Sequence, residues 1–153
     1  QHLLDEASQR PDDALNVVQQ AREVREAIYR IFESVTEHTP LDSVDMSILN
    51  DALARTMVHA RLVHTAQGFS WAWEQDEHAL DCLLWPILRS ASDLLVSHEL
   101  EDVRQCAASD CSGFFIDTSK NHSRRWCDMT TCGNRAKARR HYEKKRTSDT
   151  IGT

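Results

Sequence analysis

Cys106-Ala-Ala-Ser-Asp-Cys111 and Cys127-Asp-Met-Thr-Thr-Cys132 are two cysteine pairs with the same C-x4-C spacing, separated by fifteen residues. Zinc takes soft donors in a tetrahedron, and a loop of this length can turn two thiolates toward one ion. Two disulfides or four free thiols are the alternatives, and the lack of a visible secretion signal argues against disulfides. The spacing therefore predicts one structural Zn²⁺ bound by all four cysteines, with no open position for a catalytic water.

The residues around these pairs indicate a small module built on the ion. Phe114-Phe115-Ile116 is β-prone, and the stretch from Asn134 to Arg146 has a helical composition. Knuckle, hairpin, second knuckle and helix is the order typical of treble-clef-like modules. A stretch this short cannot bury a core without metal, so zinc binding of about 10–16 kcal/mol would supply its folding energy.

The same region carries a family signature. Cys-Gly-Asn-Arg stands at 132–135, Arg124-Arg125-Trp126 precedes the second cysteine pair, and Phe115-Ile-Asp-Thr-Ser119 lies upstream. Over about residues 106–146 the chain resembles the CGNR zinc-finger family, in which the finger follows an ABATE domain in bacterial stress-induced transcription regulators. The resemblance implies an ABATE-like domain at 1–100, a finger with a basic helix at 101–147 and a tail at 148–153. The family's N-terminal strand segment, with a Leu-Asp-Phe-x-Asn-Thr-like pattern, is expected to be missing from this chain.

Residues 1–100 have helical periodicity. Apolar residues recurring at three- and four-residue steps predict three long helices, over Asp12–Glu37, Val44–Gln67 and Asp76–Ser97. Ser43 is the predicted N-cap of the second helix, and Gly68 its stop. Phe69–Trp73 alternates large and small residues, which predicts a short strand without an obvious partner. The expected fold is thus mainly α with a small α+β zinc module.

Pro86 lies inside the third predicted helix. An interior proline removes one helical hydrogen bond and costs about 3 kcal/mol. We therefore expect a kink at this position, or two helices in place of one.

Charge is distributed unevenly along the chain. Residues 1–100 hold 7 Lys/Arg and 17 Asp/Glu, whereas residues 119–147 hold 10 Lys/Arg and 2 Asp/Glu. A basic segment beside an acidic body is typical of a protein that binds nucleic acid or another anionic surface, and Lys and Arg bind nucleic acid because they neutralise phosphates and release counterions. The predicted contacts are Arg124, Arg125, Arg135, Lys137, Arg139 and Arg140.

This basic segment has other interpretations. It could be a solvated helix, some arginines could pair with Asp117 or Asp128 within the finger, and others could dock against the acidic body. Trp126 is predicted to pack in the finger core rather than to stack on a base. Asn134 is predicted to cap backbone donors or to brace a knuckle.

Residues 1–100 show no catalytic constellation. His59 and His64 are five residues apart, so a shared metal is not expected, and both are predicted to be solvated or at the core edge. Trp71 and Trp73 share a strand face and could line a ligand pocket, although core packing is the preferred interpretation. Cys82 is predicted to be a small buried hydrophobe.

The sequence therefore favours a cytoplasmic, non-enzymatic DNA-binding regulator, with the acidic domain as a sensor or dimerisation domain. DNA is the expected partner and a homodimer is possible, whereas no membrane partner is expected. The alternative is a redox- or zinc-sensing interaction module without direct DNA binding, in which oxidation of the thiolates unfolds the finger. A basic tail that binds an acidic protein is a third option.

Overall fold

The computed structural model describes residues 2–74 and 78–150, with side chains described as far as residue 143. The chain divides into two compact units, Gln1–Val96 and Ser97–Thr153. The elements of the first unit are α1 (His2–Gln9), α2 (Pro11–Glu37), α3 (Ser43–Met57), β1 (Ala60–Thr65), β2 (Gly68–Trp73) and α4 (Leu84–Leu95). The expectation of a mostly helical chain is confirmed.

The first unit is built around the apolar faces of α2, α3 and α4. Its buried cluster consists of Val24, Ile31, Leu49, Ala52 and Leu88. The prediction for α2 is confirmed to within one residue. Pro11 occupies the first turn, where a backbone N–H would have no partner within the helix, so the proline costs no hydrogen bond. The helix ends at Glu37, and the next residue, His38, caps it in a left-handed conformation with φ 55°.

The second helix differs from its prediction at both ends. Asp42, not Ser43, is the N-cap, and its carboxylate accepts from the Val44 N–H at 2.8 Å. The helix ends at Met57 and does not continue to Gln67, because residues 60–65 form β1. Branched and aromatic side chains in two adjacent segments gain more from pairing as strands than from extending a helix.

β1 and β2 form an antiparallel hairpin, with Leu62 opposite Trp71 and Thr65 opposite Gly68. The expectation that the Phe69–Trp73 strand lacks a partner is therefore wrong, since its partner is the segment predicted as the end of the second helix. Gly68 does not stop a helix. It follows the two-residue turn with φ 113°, a conformation that glycine adopts readily.

The third helix is shorter than predicted, because α4 starts at Leu84. The predicted start at Asp76 lies outside the described residues, and residues 80–83 form turns. Pro86 is the third residue of α4, where backbone N–H groups have no partner within the helix. The expected kink or division at Pro86 is therefore wrong, because the helix begins beside the proline.

The second unit is small and contains short elements. A 3-10 helix, His98–Asp102, leads into β3 (Val103–Gln105), which pairs antiparallel with β4 (Phe114–Ile116). The first knuckle, residues 106–111, lies between these strands. The second knuckle, residues 127–132, runs into a π-helical turn at Met129–Gly133 and then into α5 (Asn134–Thr150). Helix α5 begins at the predicted residue.

Among the described residues, none of the helices combines the length and the apolar composition that a bilayer crossing requires.

Candidate metal centre

Four cysteine sulfurs lie together in the second unit. The Sγ atoms of Cys106, Cys111, Cys127 and Cys132 are all within 4.8 Å of one another. The Cys127 sulfur lies 3.7 Å from that of Cys111 and 3.7 Å from that of Cys132. A disulfide needs an S–S distance of about 2.05 Å. The four cysteines are therefore free thiols.

These distances fit a tetrahedral metal. Sulfur atoms bound to zinc at about 2.3 Å in a tetrahedron lie roughly 3.8 Å apart. Cys106 and Cys132 are buried, whereas Cys111 and Cys127 are half-buried, so the donors point inward from both knuckles. Four clustered thiols, joined by no further His, Asp or Glu ligand among the described residues, indicate a zinc-binding site of the closed, structural kind.

Backbone N–H groups are directed at the sulfurs. The Cys127 N–H donates to the Cys106 sulfur at 3.5 Å, and the Gly113 N–H donates to the Cys111 sulfur at 3.4 Å. Burial raises the pKa of Cys106, but hydrogen bonds from the backbone of Cys127 and Ala108 outweigh it and bring that pKa to about 7. Such donors favour thiolates, which are the form that a metal binds.

Contact with other thiols has the opposite effect on the Cys127 sulfur. Hydrogen bonds with the thiols of Cys132 and Cys111 raise the pKa of Cys127 to about 12. A metal binds thiolates, so metal binding displaces the thiol protons and the affinity for metal rises with pH.

The second knuckle is braced by polar side chains on both sides. The Asp128 carboxylate accepts from the Thr131 N–H at 2.7 Å and from the Thr130 hydroxyl at 2.7 Å, and these bonds lower its pKa to about 2. Asn134 donates from its side-chain amide to the Thr130 carbonyl at 3.0 Å. Of the two roles predicted for Asn134, the structure shows the brace.

A buried carboxylate organises the loop that precedes this knuckle. Asp117 is fully buried and accepts from the N–H and the hydroxyl of Ser119, at 2.9 Å and 2.6 Å, and from the Arg124 N–H at 3.0 Å. These bonds to Ser119 and Arg124 lower the pKa of Asp117, so the carboxylate stays ionised. Trp126 packs against the cysteine cluster, consistent with its predicted place in the finger core.

Three of the six predicted phosphate contacts have partners inside the finger. Arg124 donates to the carbonyls of Trp126 and Cys127 and lies over the Phe115 ring, 4.7 Å from its centroid. Arg135 pairs with Asp110 at 2.9 Å. Arg139 lies 3.6 Å from the same carboxylate oxygen.

The alternative that finger arginines pair with Asp117 or Asp128 is therefore wrong in its partner. The guanidinium groups of Arg135 and Arg139 meet Asp110, whereas Asp117 accepts from Ser119 and from the backbone N–H, not the guanidinium, of Arg124. Sequence analysis missed Asp110 because acidic residues are common in loops. Its position directly before a metal-ligand cysteine is the signal that could have identified it.

The other three predicted contacts are less constrained. Arg125 lies over the Trp126 ring, 5.6 Å from the centroid. Lys137 and Arg140 are exposed on α5, and no side chain in the described part of the finger pairs with either. Because they are three residues apart, they lie on the same side of the helix. Arg140 also borders the cavity that Arg135 and Arg139 line against the first knuckle, whereas Lys137 does not line it.

The residues singled out in the first unit form no second site. Trp73 lies 6.1 Å from Trp85, whereas Trp71 is half-exposed with the Arg89 guanidinium 4.5 Å from its ring centroid. His64 is exposed beside Phe69. Cys82 is half-buried rather than buried as predicted, because it lies in the turns before α4.

Comparison with protein families agrees with this division of the chain. The model of the CGNR zinc finger matches residues 103–145. The model of ABATE, described as "Putative stress-induced transcription regulator", matches residues 1–98. A search of curated proteins finds no match. The resemblance noted from the Cys-Gly-Asn-Arg motif is thus confirmed, and since the ABATE model spans more than half of the residues, the chain belongs to the ABATE family and carries a CGNR zinc finger.

Proposed function

We propose that this protein is a DNA-binding transcription regulator whose finger folds around one structural Zn²⁺. The observation that carries the DNA-binding role is the exposed basic side of α5, where Lys137 and Arg140 have no carboxylate partner among the described side chains. Cationic side chains that are already exposed bind phosphates without first breaking an internal ion pair. They gain affinity from the counterions that they release.

The cationic side chains of the finger fall into two groups with different roles. Arg124, Arg135 and Arg139 hold the loops of the finger in place through internal contacts. Lys137, Arg140 and Arg125 supply the phosphate-binding surface. Removal of the first group therefore weakens DNA binding by disturbing the finger, and removal of the second weakens it directly.

The acidic ABATE unit has a different role in this proposal. Its excess of Asp and Glu repels a phosphate backbone, so it does not bind DNA itself. It serves as the sensor or dimerisation domain that controls the finger. Sedimentation of the full chain with and without duplex DNA tests whether it dimerises.

The test of DNA binding uses the zinc-loaded full chain and a fluorescent duplex of random sequence, titrated at several salt concentrations. Log affinity should fall linearly with log salt concentration. The variant with Lys137→Ala and Arg140→Ala should lose affinity, and its slope should be smaller by about 0.9 for each lost phosphate contact. Elemental analysis of the same samples should give one zinc per chain in parent and variant.

The matched control carries Arg22→Ala and Arg55→Ala. These changes remove the same charge from exposed positions of the ABATE unit and should leave the slope unchanged. An α5 variant that keeps its zinc and binds DNA with the parent's affinity and slope would show that this side of the helix is not the DNA surface.

A redox sensor is the second candidate, and the half-buried sulfurs of Cys111 and Cys127 favour it. Hydrogen peroxide would take two electrons from two thiolates, form their S–S bond and leave as water after taking up protons, and the metal would be released. Zinc release by mild peroxide, reversed by a thiol reductant and zinc, supports this role. The DNA titration separates the two roles, because a redox sensor does not need to bind DNA.

A further inference from the structure

The carboxylate of Asp110 joins the first knuckle to α5. One of its oxygens lies 2.9 Å from Arg135 Nη1 and 3.6 Å from Arg139 Nη2. Arg139 also donates to the Ser109 hydroxyl. We call Asp110, Arg135 and Arg139 the Asp110 cluster. It connects a loop that carries two metal-ligand cysteines to the helix that follows the other two.

Arg135 reaches the metal centre itself. While its Nη1 pairs with Asp110, its Nη2 donates to the Cys132 sulfur at 3.6 Å. Asp110 directly precedes Cys111, and Arg135 follows Cys132 by three residues. A single guanidinium therefore contacts both halves of the four-cysteine site.

A cavity of about 200 Å³ borders the same two segments. Its lining consists of residues 107–110 of the first knuckle and, from α5, Arg135, Ala136, Arg139, Arg140 and Glu143. Ala108 packs with Cys106 and Cys132 in the buried cluster, so the first knuckle also has apolar contacts with the second. The Asp110 cluster adds polar contacts between the first knuckle and α5 at the cavity.

The chemistry of the site gives the guanidinium a second effect. Four thiolates around a divalent ion leave the centre with excess negative charge, which is spread over the sulfurs. A cation that donates a hydrogen bond to one sulfur stabilises this charge, and groups in contact with metal ligands commonly change metal affinity by about 10–100-fold. Arg fits this place better than Lys, because its planar fork reaches two acceptors at once.

We propose that Arg135 is a positioning residue for the zinc site, which raises zinc affinity by donating to the Cys132 sulfur and by holding the first knuckle through Asp110. This inference rests on the zinc site of the proposed function, but not on DNA binding. It assigns the arginine of the Cys-Gly-Asn-Arg motif to the metal rather than to nucleic acid.

The test compares zinc affinity by competition with a chromophoric chelator in the full chain. Arg135→Ala and Asp110→Asn should each bind zinc about 10–100-fold more weakly than the parent. Because both remove the same ion pair, the double variant should be weaker by less than the product of the two effects. Lys120→Ala, which removes an exposed cation of the finger outside α5, is the matched control and should match the parent.

Cobalt spectroscopy separates the bond to sulfur from a merely structural role. In the Co²⁺-loaded protein, Arg135→Ala should shift the sulfur-to-cobalt charge-transfer band, whereas Asp110→Asn, which keeps the donor to Cys132, should shift it less. Arg135→Lys keeps the charge without the fork, so its zinc affinity should lie between those of the parent and Arg135→Ala.

Parent-like zinc affinity and an unshifted cobalt band in Arg135→Ala would overturn this assignment. So would additive effects in the double variant. A parent protein that binds no stoichiometric zinc contradicts the proposed function instead, so the two failures are distinguishable.

Discussion

The imidazole of His59 lies parallel to the indole of Trp85, with ring centroids 4.0 Å apart and an angle of 7° between the planes. Trp85 is only 2% exposed and belongs to the first turn of α4, whereas His59 immediately precedes β1. Trp73, at the end of β2, approaches the same indole at 6.1 Å. An isolated two-stranded hairpin is only marginally stable in water, so these ring contacts anchor its base to the helical core.

Replacing His59 by Ala should therefore destabilise the ABATE unit. The lost ring contact is worth roughly 1 kcal/mol beyond the area it buries. His59→Phe keeps an aromatic ring on the indole and should lie closer to the parent. Thermal unfolding followed by circular dichroism measures both, with His64→Ala on the exposed part of the hairpin as the control. Equal loss from His59→Ala and His64→Ala would contradict the anchoring role.

The ion pair between Arg30 and Asp45 joins α2 to α3 and makes stability depend on pH. Arg30 donates to both oxygens of Asp45, at 2.6–3.0 Å, and the carboxylate is only 4% exposed. These hydrogen bonds lower the pKa of Asp45 below its ordinary 3.8. Its contribution to stability is therefore fully present above pH 3.8 and is lost as the pH falls toward the lowered pKa.

Asp45→Asn should lower the free energy of unfolding by roughly 2 kcal/mol at neutral pH, since it replaces charge-assisted hydrogen bonds with neutral ones. Below the native pKa of Asp45 the difference from the parent should shrink. Urea unfolding of the full chain at several pH values checks this. Asp51→Asn, at an exposed position of the same helix, is the matched control. A difference that stays constant down to strongly acidic pH would show that the ion pair is not its source.

Cys132→Ser should remove the metal and unfold the finger, residues 101–146, while the helical ABATE unit stays folded. The finger has only a few buried residues besides its cysteines, so without the ion its core is too small to fold. Zinc content and proteolysis mapped by mass spectrometry test this prediction. Cys82→Ser, outside the cluster, should keep one zinc and an intact finger. Protection of the finger from protease in metal-free Cys132→Ser would contradict it.

The features that could be predicted from sequence are those with a local cause. The spacing of the cysteine pairs is enough to predict the four-cysteine site. A periodic apolar stripe with proline at its start is enough to predict α2. The end of α3 could not be predicted, because residues 60–65 are as compatible with a helical stripe as with a strand. Only pairing with Gly68–Trp73, and the contact of His59 with Trp85, favour the strand. These contacts are tertiary and leave no local pattern.

The basic residues of the finger show the same limit. Charge predicts a cationic segment, but not which cations have partners inside the protein. Arg135 and Arg139 meet Asp110, which lies about 25 residues earlier and is brought to them by the cysteine cluster. Lys137 and Arg140 lie on the same helix and are exposed, as Arg135 and Arg139 are, yet neither pairs with a carboxylate among the described side chains. The distinction depends on which guanidinium groups reach Asp110, because Arg140 borders the same cavity without pairing with it.

Asp117→Asn should loosen the loop from residue 117 to residue 124 and lower the thermal stability of the finger. The Asp117 carboxylate accepts from three donors, and an amide presents one oxygen to them and turns an N–H₂ group toward the rest. A buried donor left without an acceptor is costly, so the effect should exceed that of Asp102→Asn, which breaks only the exposed pair with His122. Hydrogen exchange at the Ser119 and Arg124 amides measures the change. Unaltered protection of both amides would show that the carboxylate does not hold this loop.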